Sequence, residues 1–267
     1  SFYNNEDVYV QKEQGKFYPN QFIMLVSIQN DKKSALARFV NYNSPLKKVF
    51  EYKNGIWGLK AKNKEQLFAM NILLEPSIPV VSLIGIPGGG KSILAIAAGL
   101  EQTLGENKRY DRFIVIRPIM PLGKDVGYLP GNLQEKLTPW IQPIVDNLRY
   151  LFKNDKAVLE EYIEDGIIEI EAMTFVRGRT ISNAFLLIDE VQSLTTHELK
   201  SILTRVGENT KIVLTGDLKQ IDSAYLNEMT SGLTNVVEKF KHETISGHIT
   251  LIKGERSLVA TIASKIL

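Results

Sequence analysis

The chain is 267 residues long, 44% apolar and 23% charged, which excludes bulk disorder and lets it bury a core without staples. Having no cysteine, it is excluded from disulfides, thiolate zinc sites, iron–sulfur clusters and cysteine nucleophiles, and its three histidines (His197, His242, His248) are too scattered for a protein-only metal cage. With 32 basic and 30 acidic residues the net charge is +2, so any basic footprint for nucleic acid must be local.

Ser1 to Asn20 is polar and unlike an export signal. The apolar runs Val80–Ile84 and Phe185–Ile188 fall far short of the roughly 20 residues of a spanning helix. The expectation is a cytoplasmic protein without a membrane partner. The chain opens at Ser1 rather than at methionine, which keeps a preceding domain in view.

Phe22–Ile28, Ser34–Val40, Val49–Tyr52 and Ile56–Leu59 read as short strands, separated by the turn signals Asn30-Asp31, Asn43-Ser44-Pro45 and Asn54-Gly55. Residues 1–60 are therefore expected to form a small antiparallel β module with its linker, and 61–267 a second domain. In that second part strands alternate with helices. Helix Leu67–Leu74 precedes strand Val80–Ile84, a Gly-rich turn and helix Ser92–Leu104. Strand Phe113–Arg117 is followed by the Pro/Gly-rich stretch Pro118–Gly131 and by helical Leu133–Phe152, interrupted at Pro139 and Pro143. Helix Lys156–Glu164, strand Ile167–Glu171, strand Phe185–Asp189, helix His197–Val206 and strand Lys211–Gly216 come next. Thr234–Phe240 reads as helix, Ile249–Lys253 as strand and Ser257–Ile266 as a closing helix. Apolar strands spaced by helix-length segments predict an α/β fold with a parallel sheet covered on both faces.

Gly85-Ile86-Pro87-Gly88-Gly89-Gly90-Lys91-Ser92 fits G-x-x-x-x-G-K-[ST], after a strand and opening a helix. Glycines let the backbone wrap a phosphate and turn N–H groups onto it, and the helix start, with Ile93, adds its positive end. Lys91 is expected to reach the β- and γ-phosphates and the Ser92 hydroxyl to ligate Mg²⁺. The bland alternative is a Gly-rich turn that happens to end in Lys-Ser.

Phe185-Leu186-Leu187-Ile188-Asp189-Glu190 puts two carboxylates at the end of a buried strand, where open α/β sheets bind ligands. Asp189 is expected to hold the Mg²⁺ shell and Glu190 to orient or deprotonate the attacking water. Gly216-Asp217-Leu218-Lys219-Gln220 ends another strand, and Gln220 is the candidate sensor of the γ-phosphate, against the alternative of a polar turn.

Together these residues resemble the PhoH-like ATPases, relatives of the superfamily 1 helicase core, from about Pro19 to the end of the chain. The resemblance includes Trp57-Gly58 and Asn63-x-x-Gln66, Arg117-Pro118 with Pro121-x-Gly123, and Gly127-Tyr128-Leu129-Pro130-Gly131. It continues through Glu135-Lys136-Leu137-x-Pro139-Trp140, Pro143, Asp146-Asn147-Leu148 and Arg177-Gly178-Arg179-Thr180. Ile188-Asp189-Glu190-x-Gln192, Thr204-Arg205-x-Gly207-Glu208 and Gly216-Asp217…Gln220-Ile221-Asp222 complete it. One departure is Pro87-Gly88-Gly89-Gly90-Lys91-Ser92, where the family usually has Ala-Gly-Thr-Gly-Lys-Thr.

The resemblance implies a P-loop NTPase with a RecA-like parallel sheet. It implies ATP, read by Gln66, and Mg²⁺ as cofactors. An arginine would contact the γ-phosphate, Arg256 of Glu255-Arg256-Ser257 first and Arg205 second. It further implies single-stranded RNA as partner and a homo-oligomeric ring, with a hexamer favoured. A PIN ribonuclease domain ahead of the chain is also implied. RNA contacts are sought in Arg109, Arg112, Arg117, Arg177, Arg179, Tyr128 and Trp140; Tyr128 and Trp140 have the alternative of plugging a core. The expected function is ATP hydrolysis coupled to RNA remodelling or unwinding. A nucleotide-gated assembly switch and a P-loop phosphotransferase are the alternatives.

Overall fold

The computed structural model describes residues 2, 6–27, 34–106, 108–118, 133–172, 180–220 and 231–254. β1 (Phe22–Val26) and β2 (Ser34–Arg38) pair antiparallel with Met24 opposite Leu36, and β3 (Lys47–Lys48) pairs with the end of β2. Phe39, Ala37, Leu46, Val10 and Phe2 form a small core of their own on this sheet. The expected strand Val49–Tyr52 is displaced to Lys47–Lys48. Val49 still donates to Leu36 O (3.3 Å), but the Asn71 side chain then captures both backbone groups of Phe50, at 2.8 and 2.9 Å. Ile56 and Leu59 make an isolated bridge around a two-residue turn, Trp57-Gly58, in which both residues are left-handed (φ 48° and 76°).

α1 (Lys64–Leu74) starts at Asn63, whose side chain accepts from Gln66 N–H, and leads into β4 (Val80–Gly85). α2 (Lys91–Leu104) follows the Gly-rich turn and leads to β5 (Arg112–Arg117). α3 (Leu133–Leu151) runs continuously through Pro139 and Pro143, contrary to the expected interruption. The prolines are one turn apart on the exposed side, so the missing N–H of Pro143 falls on the Pro139 carbonyl and solvent can serve it. α4 (Lys156–Glu164), capped by Asp155, precedes β6 (Ile168–Ala172). β7 (Ala184–Ile188), α5 (Thr196–Leu203, with a Thr195/Glu198 capping box) and β8 (Lys211–Gly216) follow. α6 (Gly232–Phe240) and β9 (Ser246–Leu251) complete the described elements. The closing helix expected at Ser257–Ile266 lies outside the described residues.

The second sheet has six parallel strands in the order β6-β5-β7-β8-β4-β9. One face packs on α1, α2, α3 and α4 through residues such as Leu83, Ile96, Phe113 and Leu148. The other packs on α5 and α6 through Ile116, Leu186, Leu199 and Leu233. β9 begins at Ser246 rather than Ile249 because it is an edge strand in register with β4, Val80 opposite Ser246 and Gly85 opposite Leu251. Pairing to a neighbour, not apolar pattern, makes Ser246-Gly247-His248 a strand. The chain leaves β4 and re-enters the sheet at β5, across β8 and β7. That reversal opens the crevice at the carboxyl ends of β4, β7 and β8 where such sheets bind ligands.

Candidate functional site

The turn after β4 sits in that crevice. Gly89 N–H closes it onto Ile86 O (3.1 Å), and Gly88 and Gly90 are left-handed at φ 78° and 91°. Gly90 N-caps α2, so the N–H groups of the helix start, Lys91 to Ile93, have no partner within the helix. The Ile93 side chain packs on the core beneath. Lys91 is buried, and its Nζ donates to Gly85 O (2.7 Å) and Ile86 O (3.0 Å), which keeps the ammonium over the loop. Gln66 is buried beside the loop. Its Nε2 donates to Gly89 O (3.1 Å) and its Oε1 accepts from Lys62 N–H (2.8 Å).

Asp189 is the hub of the site. It follows β7, is 2% exposed, and its N–H donates to Ile116 O of β5 (2.9 Å). Ser92 Oγ and Thr215 Oγ1 both donate to Asp189 Oδ1 at 2.6 Å, while Arg117 donates to Oδ2 at 3.2 Å. The second Arg117 nitrogen lies 3.8 Å from Glu190 Oε1. Glu190 is left-handed (φ 59°), an uncommon conformation for a residue with a side chain and one that costs of order 1–3 kcal/mol. One third of its side chain is exposed. Gln192, nearly fully buried, donates to Glu190 Oε2 (2.5 Å) and to Gln220 O (3.4 Å). Its Oε1 accepts from Asp217 N–H (3.1 Å). Asp217 Oδ1 takes Lys219 N–H (3.0 Å), and its Oδ2 is buried without a partner among the described residues.

The fold thus assembles Pro87–Ile93, Asp189 and Glu190 at one place, with Gln220 joined through its carbonyl rather than through its exposed amide. Arg205 is not brought there. Its carbonyl accepts from Ile181 N–H (2.9 Å), at the opposite end of the sheet, where β7 begins. Arg256, with Glu255, lies outside the described residues, as do Tyr128, Arg177 and Arg179. Arg112, sought as an RNA contact, pairs with Glu169 at 2.7 Å. Arg117, sought for the same purpose, instead stands on the carboxylates. Sequence reasoning also passed over Thr215 and the bridging role of Gln192. The signal for Thr215 was the common height of strand ends: Ile188 pairs with Leu214, which sets Thr215 level with Asp189.

Among the described residues no group of three or more His, Asp or Glu side chains forms a cage for a metal. A hydroxyl and one carboxylate beside a phosphate-binding turn suit Mg²⁺, which takes few protein ligands and completes its shell with phosphate oxygens and water. Ser92 and Asp189, already in contact, are the residues that would hold it. Among the described residues no helix is long and apolar enough to cross a membrane.

These parts define a P-loop nucleotide-binding domain of the α/β class. More narrowly, the chain belongs to the PhoH family, whose model, described as PhoH-like protein, matches residues 58–266. It is 47% identical over 272 residues to Protein PhoH2 of Bacillus subtilis (strain 168), covering 100% of this chain and 61% of that protein. It is 38% identical over 213 residues to Protein PhoH2 of Thermobispora bispora, covering 79% of this chain and 48% of that one. The chain therefore spans about half to three fifths of the length of these curated relatives. Among solved structures it is similar to Pif1 helicase from Candida albicans at a TM-score of 0.36 and 15% identity, over 73% of this chain and 40% of that one, too loose a likeness to argue from. Family and site together support a nucleotide-binding ATPase.

Proposed function

We propose that the chain is a Mg²⁺-dependent ATPase that couples hydrolysis to the binding and remodelling of single-stranded RNA. The observation that carries the hydrolytic part is the convergence on Asp189 of Ser92, Thr215 and Arg117, with Glu190 fixed beside it. The triphosphate is held by the inward N–H groups of the turn, the start of α2 and Lys91. Mg²⁺ supplies charge neutralisation of the phosphate oxygens when bound. Glu190 orients the attacking water and accepts its proton, its two oxygens fixed by Arg117 and Gln192. Loss of the γ-phosphate is read by Gln220 and passed through Gln192 to the loop behind β8. Two carboxylates facing a P-loop favour hydrolysis over phosphotransfer.

The chain contributes one RecA-like sheet, and Arg205 sits too far round it to serve its own nucleotide. This supports a homo-oligomeric ring, with a hexamer favoured, in which a neighbour's Arg256 or Arg205 completes the site. RNA coupling rests on the family likeness. The test is steady-state ATP hydrolysis with and without single-stranded RNA, with Glu190→Gln as control and sedimentation run alongside. Stimulation by RNA that the control abolishes supports the coupled enzyme. Turnover indifferent to RNA removes the coupling, nucleotide binding without turnover leaves only an assembly switch, and full activity from a monomer removes the ring.

A further inference from the structure

We propose that Arg117 is the internal counter-cation of the Asp189–Glu190 pair and thereby sets how much Mg²⁺ the site needs, an inference that rests on the ATPase reading above. Arg117 ends β5, and the register Ile116 opposite Ile188 puts its side chain level with the two carboxylates that follow β7. The guanidinium divides itself between them, at 3.2 Å from Asp189 Oδ2 and 3.8 Å from Glu190 Oε1, with its side chain 19% exposed. Two adjacent carboxylates repel, and one of them is almost fully buried. Oδ1 of Asp189 is served by hydroxyls from Ser92 and Thr215, which carry no charge. Among the described residues Arg117 is the one cation in ion-pair distance of either carboxylate.

Arg117 and a Mg²⁺ ion held by Ser92 and Asp189 seek the same negative charge. Each cation lowers the gain of the other, and by linkage the effect is mutual. Arg117 is a positioning residue in this scheme. It yields part of its hold on Asp189 as the metal binds and keeps Glu190 in place. A guanidinium suits this because it can keep one carboxylate while releasing the other.

The experiment is a Mg²⁺ titration of the binding of a fluorescent, non-hydrolysable ATP analogue, read in the wild type, Arg117→Gln and Arg117→Lys. For Arg117→Gln the Mg²⁺ concentration at half-saturation is expected to fall about tenfold, within the range of ordinary site-to-site coupling. Turnover should fall in the same variant, because Glu190 loses one of its two anchors. Arg117→Lys keeps the charge and is expected to stay within about twofold of the wild type, whereas a merely structural role would move both variants alike. Arg117→Met removes the same charge at similar length and carries the test where Arg117→Gln does not fold. Unchanged or weaker Mg²⁺ binding in the charge-removing variants overturns the proposal. So does a loss of nucleotide affinity in EDTA, which would make Arg117 a phosphate ligand. Failure of the wild type to bind the analogue at any Mg²⁺ concentration would instead sink the ATPase reading itself.

Discussion

Lys211 and Asn20, near the amino end of the six-stranded sheet, spend their hydrogen-bonding capacity inside the protein, whereas at the carboxyl end Asp217 leaves one oxygen without a partner among the described residues and Glu190 keeps a third of its side chain exposed. Lys211 is fully buried at the start of β8, and its Nζ donates to Ile72 O (3.2 Å), Glu75 O (2.9 Å) and Ile78 O (2.6 Å). Three donors meet three carbonyls and close the C-terminus of α1. Asn20 donates to Thr244 O and Ser246 O and accepts from Arg38, which in turn pairs with Glu75. That network clamps the small β module to the larger sheet. At the other end, Asp217 Oδ2 is buried without a partner among the described residues and Glu190 holds a strained backbone. Two carboxylates also share one arginine there. Unpartnered buried atoms occur at both ends among the described residues, Gln102 Oε1 and Thr103 Oγ1 on α2 as well as Asp217 Oδ2, so what sets the carboxyl end apart is its charged pair and strained backbone.

The largest expected effect tests the carboxyl end. Glu190→Gln should lose about 10²–10⁴ in ATP turnover, the usual worth of a positioned base, while nucleotide binding persists. Its urea midpoint should stay level or rise, since the substitution relieves repulsion with Asp189. A parallel loss of stability would place Glu190 with the structural groups and break the contrast.

Lys211→Met tests the amino end in the opposite sense. It strands three carbonyls and should cost about 2–4 kcal/mol in urea unfolding, with turnover per folded molecule unchanged. A neutral outcome would mean that water or backbone movement serves those carbonyls. The desolvation of the ammonium, which draws Lys211 down to about 7, would then have been as costly as its hydrogen bonds are useful.

A smaller effect belongs to His248, on the edge strand β9. Its Nδ1 meets Ser82 Oγ (2.8 Å) and its Nε2 meets Thr250 Oγ1 (3.0 Å), and burial pushes the imidazole down to about 4. Unfolded, it titrates near 6.5. Between these values the unfolded chain holds a proton that the native one does not, so stability rises as pH climbs from about 4 to about 6.5 and is level above. Thermal melts across that window should show the slope, and His248→Gln should flatten it. A slope that persists in the variant assigns it to other groups.

What was legible in the sequence divides along the same line as the chemistry. The phosphate turn could be read because its glycines, lysine and serine are neighbours in the chain and each is needed by type. The buried strands could be read because apolar runs between helices have few other uses. Arg117 could not: locally it is one of three arginines around a strand, and only the pairing of β5 with β7 sets it against Asp189. Thr215 reads from the sequence only as one residue of the strand Lys211–Gly216, for the same reason. β3 was misplaced because a side chain on α1, Asn71, competes for the backbone of Phe50, and β9 because an edge strand takes its pairing from β4. Local pattern reports local chemistry; register and competition between distant groups are not local.

Gln66 stands between the two kinds of residue and gives the finest test of the contrast. The resemblance proposes it as the reader of adenine, yet its amide is engaged with Gly89 O and Lys62 N–H, as a structural group would be. A carboxamide has two N–H groups and two lone pairs, so these bonds use half of its capacity and leave half for a base. If the tether dominates, Gln66→Ala should weaken ATP and GTP analogues alike by about threefold, the worth of one modest hydrogen bond holding the loop. If base reading dominates, ATP affinity should fall while GTP affinity holds, and the preference between them should narrow. Binding of the two analogues measured side by side separates the cases, because a loosened loop cannot tell one base from another.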